Sequence, residues 1–204
     1  MTQKIKAVIW DMGGVILRTV GKTTREQLAK KYKVTLDTLY DLVFNSITAE
    51  KATLGIIEEK DHWDTIANTL GVPKEGIDEF RAQFWEGDLI DTRLIGFIEN
   101  LKEVAKTGLL SNAWSGARDY LCKRINCGQV FQYSIFSCEV GLKKPDANIY
   151  EMILNLMTVE AHEAIFVDDF IENIEGADAV GIHGIQFVST DQAIADVLTF
   201  LEAK

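Results

Sequence analysis

Five short apolar runs, each bounded by glycine or polar residues, constrain this chain more than any other feature: Ala7-Val8-Ile9-Trp10, Gly108-Leu109-Leu110, Tyr133-Ser134-Ile135-Phe136, Ala164-Ile165-Phe166-Val167 and Gly184-Ile185-Gln186-Phe187. A strand wetted on one side alternates apolar with polar residues. Runs this continuous instead suit strands buried on both faces of a parallel sheet. Between the later runs the apolar residues recur at helical spacing: Leu94, Phe97, Ile98 and Leu101, then Ile149, Tyr150, Ile153, Leu154 and Met157, then Ile194, Val197, Leu198 and Leu201. Strands alternating with helices predict a doubly wound, Rossmann-like α/β fold.

From about Leu17 to Ile90 that alternation stops. Thr23 and Glu26 are spaced as a capping box opening one helix, and Leu36, Leu39, Tyr40 and Val43 stripe a second. Trp63, Ile66, Ala67 and Leu70 stripe a third, with Gly71 as its terminator before Pro73. Ile77, Phe80 and Phe84 outline a fourth. The expectation is a four-helix insertion between the first strand and the rest of the sheet.

Ligands of an open parallel sheet gather at the carboxyl ends of its strands, and four places there carry chemistry. The first strand runs into Asp11, and Gly13 and Gly14 free the backbone after it to turn and approach a ligand closely. The second runs into Ser111 and Asn112, which offer a hydroxyl, an amide and backbone N–H groups near a helix start, where anions are favoured. Singly, these two are as readily a turn aspartate and a helix N-cap. In the third place Lys144 precedes Pro145, so it is held extended and can reach back over the sheet edge. The fourth strand ends in Asp168-Asp169, two carboxylates that repel each other unless a cation or hydrogen bonds compensate. An all-oxygen site of that kind suits Mg²⁺.

Composition narrows the partners. Lys and Arg number 21 against 31 Asp and Glu, a formal net charge of −10, which disfavours nucleic acid and anionic membrane surfaces. With 47% hydrophobic and 25% charged residues the chain reads as a soluble globular protein. Lys4 and Lys6 before an apolar run imitate a secretion signal, but Asp11 interrupts the run and no cleavage site follows. Cys122, Cys127 and Cys138 form no Cys-x-x-Cys pair, so free thiols in a reducing cytoplasm are expected. His62, His162 and His183 share no metal-like spacing and are assigned to the surface or to helix ends; Trp10 is expected to pack against the inserted helices.

The order and content of the four places resemble the signature motifs of the haloacid dehalogenase-like hydrolase superfamily. The most specific stretches are Gly-Leu-Lys-Lys-Pro-Asp-Ala-Asn-Ile-Tyr at 141–150 and Phe-Val-Asp-Asp-Phe-Ile-Glu-Asn-Ile-Glu-Gly-Ala at 166–177. The insertion falls where that family carries its C1 cap, and Leu54-Gly55-Ile56-Ile57-Glu58-Glu59 followed by Trp63 is similar to the cap of the small sugar-phosphatase-like members with Asp-x-Gly in the first motif. The resemblance implies a sheet of about five strands in the order 3-2-1-4-5, a core over residues 1–16 and 91–204, and a four-helix cap over 17–90. It implies an Mg²⁺-dependent phosphatase in which Asp11 is the nucleophile and forms an aspartyl-phosphate. Asp11, the Gly13 carbonyl and Asp169 would hold Mg²⁺, with Asp168 ligating directly or through water. Ser111 and the Asn112 backbone would bind phosphoryl oxygens, Lys144 would neutralise Asp11 and the developing charge, and Asn173 would support the metal site. A small closed-off site implies small phosphorylated metabolites as substrates, sugar phosphates foremost.

The sequence departs from the pattern at Gly13, where the family's phosphatases carry a second aspartate as general acid and base, and at Val15, which replaces a threonine or serine. Two alternatives therefore stay open: a metal-independent 2-haloacid dehalogenase, and a catalytically weakened protein that binds phospho-ligands.

Overall fold

The structure is a computed structural model that describes residues 4–202. Strand β1 (Ala7–Trp10) leads through a tight turn into the short β2 (Leu17–Thr19). A run of helices follows: α1 (Thr23–Lys31), α2 (Leu36–Tyr40), α3 (Ile47–Thr53), α4 (Glu59–Leu70) and α5 (Ile77–Trp85). β3 (Asp88–Ile90) then pairs antiparallel with β2, so the chain enters and leaves the helical segment side by side. The remainder alternates: α6 (Thr92–Leu101), β4 (Lys106–Ser111), α7 (Ala117–Cys122), α8 (Cys127–Val130), β5 (Tyr133–Phe136), α9 (Ser137–Val140), α10 (Ala147–Met157), β6 (Ala164–Asp168), α11 (Ile171–Ala179), β7 (His183–Gln186) and α12 (Thr190–Glu202).

The main sheet has five parallel strands in the order β5-β4-β1-β6-β7. Counting only its own strands, that is the expected 3-2-1-4-5. Burial on both faces explains the continuous apolar runs. Val8, Trp10, Leu109 and Val167 point to one side and pack with Leu94 and Ile98 of α6 and Val197 of α12. Ile9, Leu110 and Phe166 point to the other and pack with Ile149 and Ile153 of α10 and Ile174 of α11. Each such side chain contributes roughly 1.5–3 kcal/mol on burial.

Register positions the chemistry. Trp10 of β1 lies beside Val167 of β6, so Asp11 and Asp168 emerge side by side. By the strand's period of two, both continue the face that carries Ile9 and Phe166, the face on which α10 lies. Lys144, in the loop before α10, is on that side, its Nζ 5.1 Å from the Phe166 ring centroid.

The inserted helices bury their own cluster, with Leu28, Leu39, Trp63, Phe80 and Phe84 at its centre. Gly71 ends α4 in the left-handed conformation expected of it (φ 71°). Several expectations are corrected here. The segment contains a helix beyond the four expected, α3, whose buried residues are Ala49 and Ala52; alanines make no visible apolar stripe. Thr23 does not cap α1. Lys22 holds the cap position with a helical backbone and no side-chain hydrogen bond, which puts Thr23 inside the helix. His62 is fully buried rather than superficial. Its Nε2 lies 2.9 Å from the Val43 carbonyl, which only accepts, so Nε2 carries the proton and Nδ1 accepts from the Thr48 hydroxyl at 2.8 Å. Trp10 packs edge-on against Phe97 of α6, not against the insertion. Cys122 and Cys127 form a disulfide: the turn between α7 and α8 brings their Cα atoms within 5.1 Å. Cys138 is free. Among the described residues no helix is long and apolar enough to cross a membrane.

Candidate active site

Three carboxylates and one ammonium meet at the carboxyl rim of the sheet. Asp11, Asp168 and Asp169 each offer an oxygen within 4.8 Å of the others. Lys144 Nζ donates to Asp11 Oδ1 and to Asp168 Oδ2, both at 2.6 Å, and all three side chains are buried. Two buried carboxylates are thus shared by one lysine.

The bonding distinguishes the two adjacent aspartates. Asp168 is fully engaged: Oδ1 accepts from the Phe170 N–H at 2.8 Å and from Asn173 Nδ2 at 3.1 Å, while Oδ2 accepts from Lys144 and from Asn173 Nδ2 at 3.0 Å. Asp169 Oδ1 is buried and has no partner. Of the adjacent pair, Asp169 is therefore the one with lone pairs to offer.

The electrostatics follow. Burial pushes the Asp11 carboxyl up to about 7, Lys144 pulling it down and Asp168 adding to the rise. Burial and the neighbouring Asp168 push Asp169 up to about 6. Burial alone would depress the Lys144 ammonium, but Asp11 and Asp168 outweigh it and hold it above the ordinary lysine range. The local excess of negative charge, together with an unpartnered carboxylate oxygen, fits a small divalent cation of the oxygen-loving kind.

The backbone around Asp11 is shaped for close approach. Gly14 adopts φ +79°, and a Cβ there would fall 2.1 Å from Asp169 Oδ2. Gly13 differs: a Cβ at that position meets nothing within 4 Å. The absence of an acid there is chemical and not imposed by crowding.

Ser111 ends β4 with its hydroxyl buried and without a hydrogen-bond partner among the described residues. Asn112 has a use that its sequence position did not announce. Its Nδ2 donates to the Lys144 carbonyl at 2.9 Å and its Oδ1 accepts from the Lys144 N–H at 2.8 Å. This reciprocal amide clamp fixes the lysine loop to the end of β4. Ser137 of α9 secures the loop after β4, accepting from the Ala113 N–H at 2.9 Å and donating to the Ala113 carbonyl at 3.2 Å.

The insertion also reaches the site. Glu59 of α4 accepts from the Gly116 N–H at 3.1 Å and from Trp63 Nε1 at 3.0 Å, and Trp114 Nε1 donates to Thr53 Oγ1 at 3.1 Å. Lys143 pairs with Glu50 of α3 at 2.8 Å. Apart from Glu59–Trp63, these contacts join residues far apart in the chain and left no local signal. The cavity they border is not small and closed off as expected. It measures about 1460 Å³ and runs from Asp11, Lys144 and Asp169 to Phe44, Trp85 and Trp114.

The haloacid dehalogenase-like hydrolase profile fits residues 5–181. The chain is 28% identical to the sesquiterpene phosphatase of Aspergillus oryzae over 191 residues, covering 93% of each. Among solved structures, a predicted HAD-like family hydrolase from Porphyromonas gingivalis superposes with TM-score 0.79 at 18% identity, covering 98% of this chain and 99% of that one. A HAD family enzyme from Bacteroides thetaiotaomicron, solved in complex with magnesium and inorganic phosphate, superposes with TM-score 0.73 at 22% identity, covering 89% and 93%.

Proposed function

The chain belongs to the haloacid dehalogenase-like hydrolase family, and from that membership we propose that it is an Mg²⁺-dependent phosphatase of small phosphorylated metabolites that works through an aspartyl-phosphate on Asp11. The observation that carries this reading is the buried Asp11–Lys144–Asp168 triad beside the unpartnered Asp169 oxygen. The adjacent acidic pair with an unpartnered oxygen favours the metal-using branch over a metal-independent dehalogenase. The resemblance of the whole chain to a phosphatase supports the same choice.

Asp11, the Gly13 carbonyl and Asp169 are the groups that would hold the metal. Asp168, its oxygens already engaged, serves instead to position Lys144, and Asn173 in turn positions Asp168. Bound Mg²⁺ supplies charge neutralisation between the incoming phosphoryl group and the carboxylates. Residues of the chain do the rest. Lys144 keeps Asp11 from repelling the phosphate and balances charge on the transferring group. The free Ser111 hydroxyl and the Asn112 backbone N–H donate to phosphoryl oxygens. An Asp11 oxygen attacks phosphorus, the ester P–O bond breaks, and the alkoxide departs with the bonding pair and takes a proton from solvent. Water then attacks phosphorus, gives up a proton to solvent and breaks the Asp11–phosphorus bond, releasing phosphate and regenerating the Asp11 carboxylate.

Gly13 leaves the departing alkoxide without a neighbouring proton donor. General acid–base catalysis contributes roughly 10²–10⁴-fold, so esters of poorly acidic alcohols turn over slowly and activated esters suffer less. Phosphate release from p-nitrophenyl phosphate and acetyl phosphate, with and without Mg²⁺, tests the reading directly. Metal-dependent release from wild type and none from Asp11→Asn is expected. Chloride release from 2-chloropropionate without metal would replace the phosphatase by a dehalogenase. Phosphate binding with no turnover of any ester would leave a phospho-ligand binder.

A further inference from the structure

One wall of the cavity that holds the carboxylates is aromatic. Phe44, Trp85 and Trp114 stand in mutual contact, Phe44 stacked on Trp114 (centroids 6.3 Å, planes 24° apart) and edge-on to Trp85 at 5.9 Å. Trp85 and Trp114 are 6.2 Å apart. Trp114 lies two residues beyond Asn112 of the proposed phosphate loop, and the same cavity is lined by both, so the wall adjoins the proposed phosphate site. The one polar atom of its indole is engaged by Thr53, leaving carbon to line the cavity. Phe44 is 42% exposed, and the same cavity is lined by Leu89 and Phe170, which are 57% and 61% exposed. Large apolar side chains left uncovered around one cavity mark a ligand surface.

Several polar side chains on the same lining are engaged elsewhere. Arg25 is held by Asp88 and the Phe84 carbonyl, Glu50 by Lys143, and Glu59 by the Gly116 N–H and Trp63. A polyol placed against this wall would exchange water for carbon. A hydrocarbon group would gain by the exchange.

Resting on the phosphatase reading, we infer that the substrate is a phosphate monoester of an apolar alcohol, its alkyl, prenyl or aryl body lying against Phe44, Trp85 and Trp114 while the phosphate sits at Asp11. This replaces the sugar phosphates expected from the sequence. The wall selects through area, so affinity scales with the hydrocarbon buried.

A chain-length series tests it. With Mg²⁺, kcat/KM for ethyl, butyl and hexyl phosphate rises about fourfold per methylene, the factor that full burial of one CH₂ confers, and hexyl phosphate exceeds glucose 6-phosphate by roughly tenfold or more. Phe44→Ala, at a half-exposed position, flattens the slope. A flat series, or preference for glucose 6-phosphate, overturns the inference. Acetyl phosphate, which carries no such body, reports the phosphatase reading separately: its hydrolysis alongside a flat series sinks the inference alone. If no ester is hydrolysed, the phosphatase reading fails. Titration of the Asp11→Asn protein then decides the inference, because hexyl phosphate and not glucose 6-phosphate must perturb the tryptophan fluorescence.

Discussion

Asp11 is held between a lysine and two further carboxylates, and its substitution separates chemistry from folding. Asp11→Asn removes the nucleophile and one buried negative charge while keeping the shape. Phosphatase activity is expected to vanish with the circular dichroism unchanged; retained turnover would reject the nucleophile. Gly13→Asp is the converse experiment. The position has room for a side chain, so a restored aspartate is expected to raise kcat on alkyl phosphates by roughly tenfold to a hundredfold, at the low end of general acid–base contributions. Rates on acetyl phosphate, whose leaving group needs no proton, change less. Equal rates on both would show that the departing alcohol is protonated from elsewhere. At this scale much of the site was legible: Asp11, Lys144, Asp168 and Asp169 each sit at a strand end or before a proline, where neighbouring residues fix their position. The Asn112–Lys144 clamp spans 32 residues and the Glu59–Gly116 bond 57. Neither is written in any local pattern, because which way a polar side chain turns depends on what folds against it.

Elements meet at points where a single methyl group decides the distance. Gly55, just after α3, has φ +67°, and a Cβ there would lie 2.1 Å from the Cys138 carbonyl in α9. Gly55→Ala is therefore expected to cost about 1–3 kcal/mol, lowering Tm by roughly 2–12 °C for a chain of this size. A thermal melt checks it, and an unchanged Tm would mean that α3 and α9 do not hold this approach in solution. The longer elements announced themselves, since a helix such as α10 buries a wide stripe of large side chains at constant spacing. α3 did not, because its inward face is alanine and its start relies on Ser46, whose side chain accepts from the Ala49 N–H. The disulfide was hidden for a similar reason: four residues lie between its cysteines, and only the turn between α7 and α8 brings them together.

Protons and metal compete for the whole molecule. Asp11 and Asp169 have ordinary values of 3.8 but are raised to about 7 and about 6 in the fold. Between roughly pH 4 and 7 the metal-free native state thus holds protons that the unfolded chain has lost, and its stability falls as pH rises through that window. Mg²⁺ displaces those protons, so its stabilisation should grow from pH 5 to pH 8, reaching about 2.7 kcal/mol where the metal is at a hundred times its Kd. Melting curves at several pH values, with Mg²⁺ and with EDTA, measure this; a metal-induced shift equal at pH 5 and pH 8 would contradict it. The architecture was the most legible level, because buried parallel strands leave an unmistakable run of apolar residues. The aromatic wall was the least, since Phe44, Trp85 and Trp114 come from three separate stretches. Two of those stretches lie between β2 and β3, where Thr19 and Asp88 face each other as the last paired residues of the ribbon. Those two positions are natural splice points. A different module with closely spaced ends, grafted between them, would bring a new selectivity surface to an unaltered reaction centre, so this scaffold can change what it accepts without relearning how to cut.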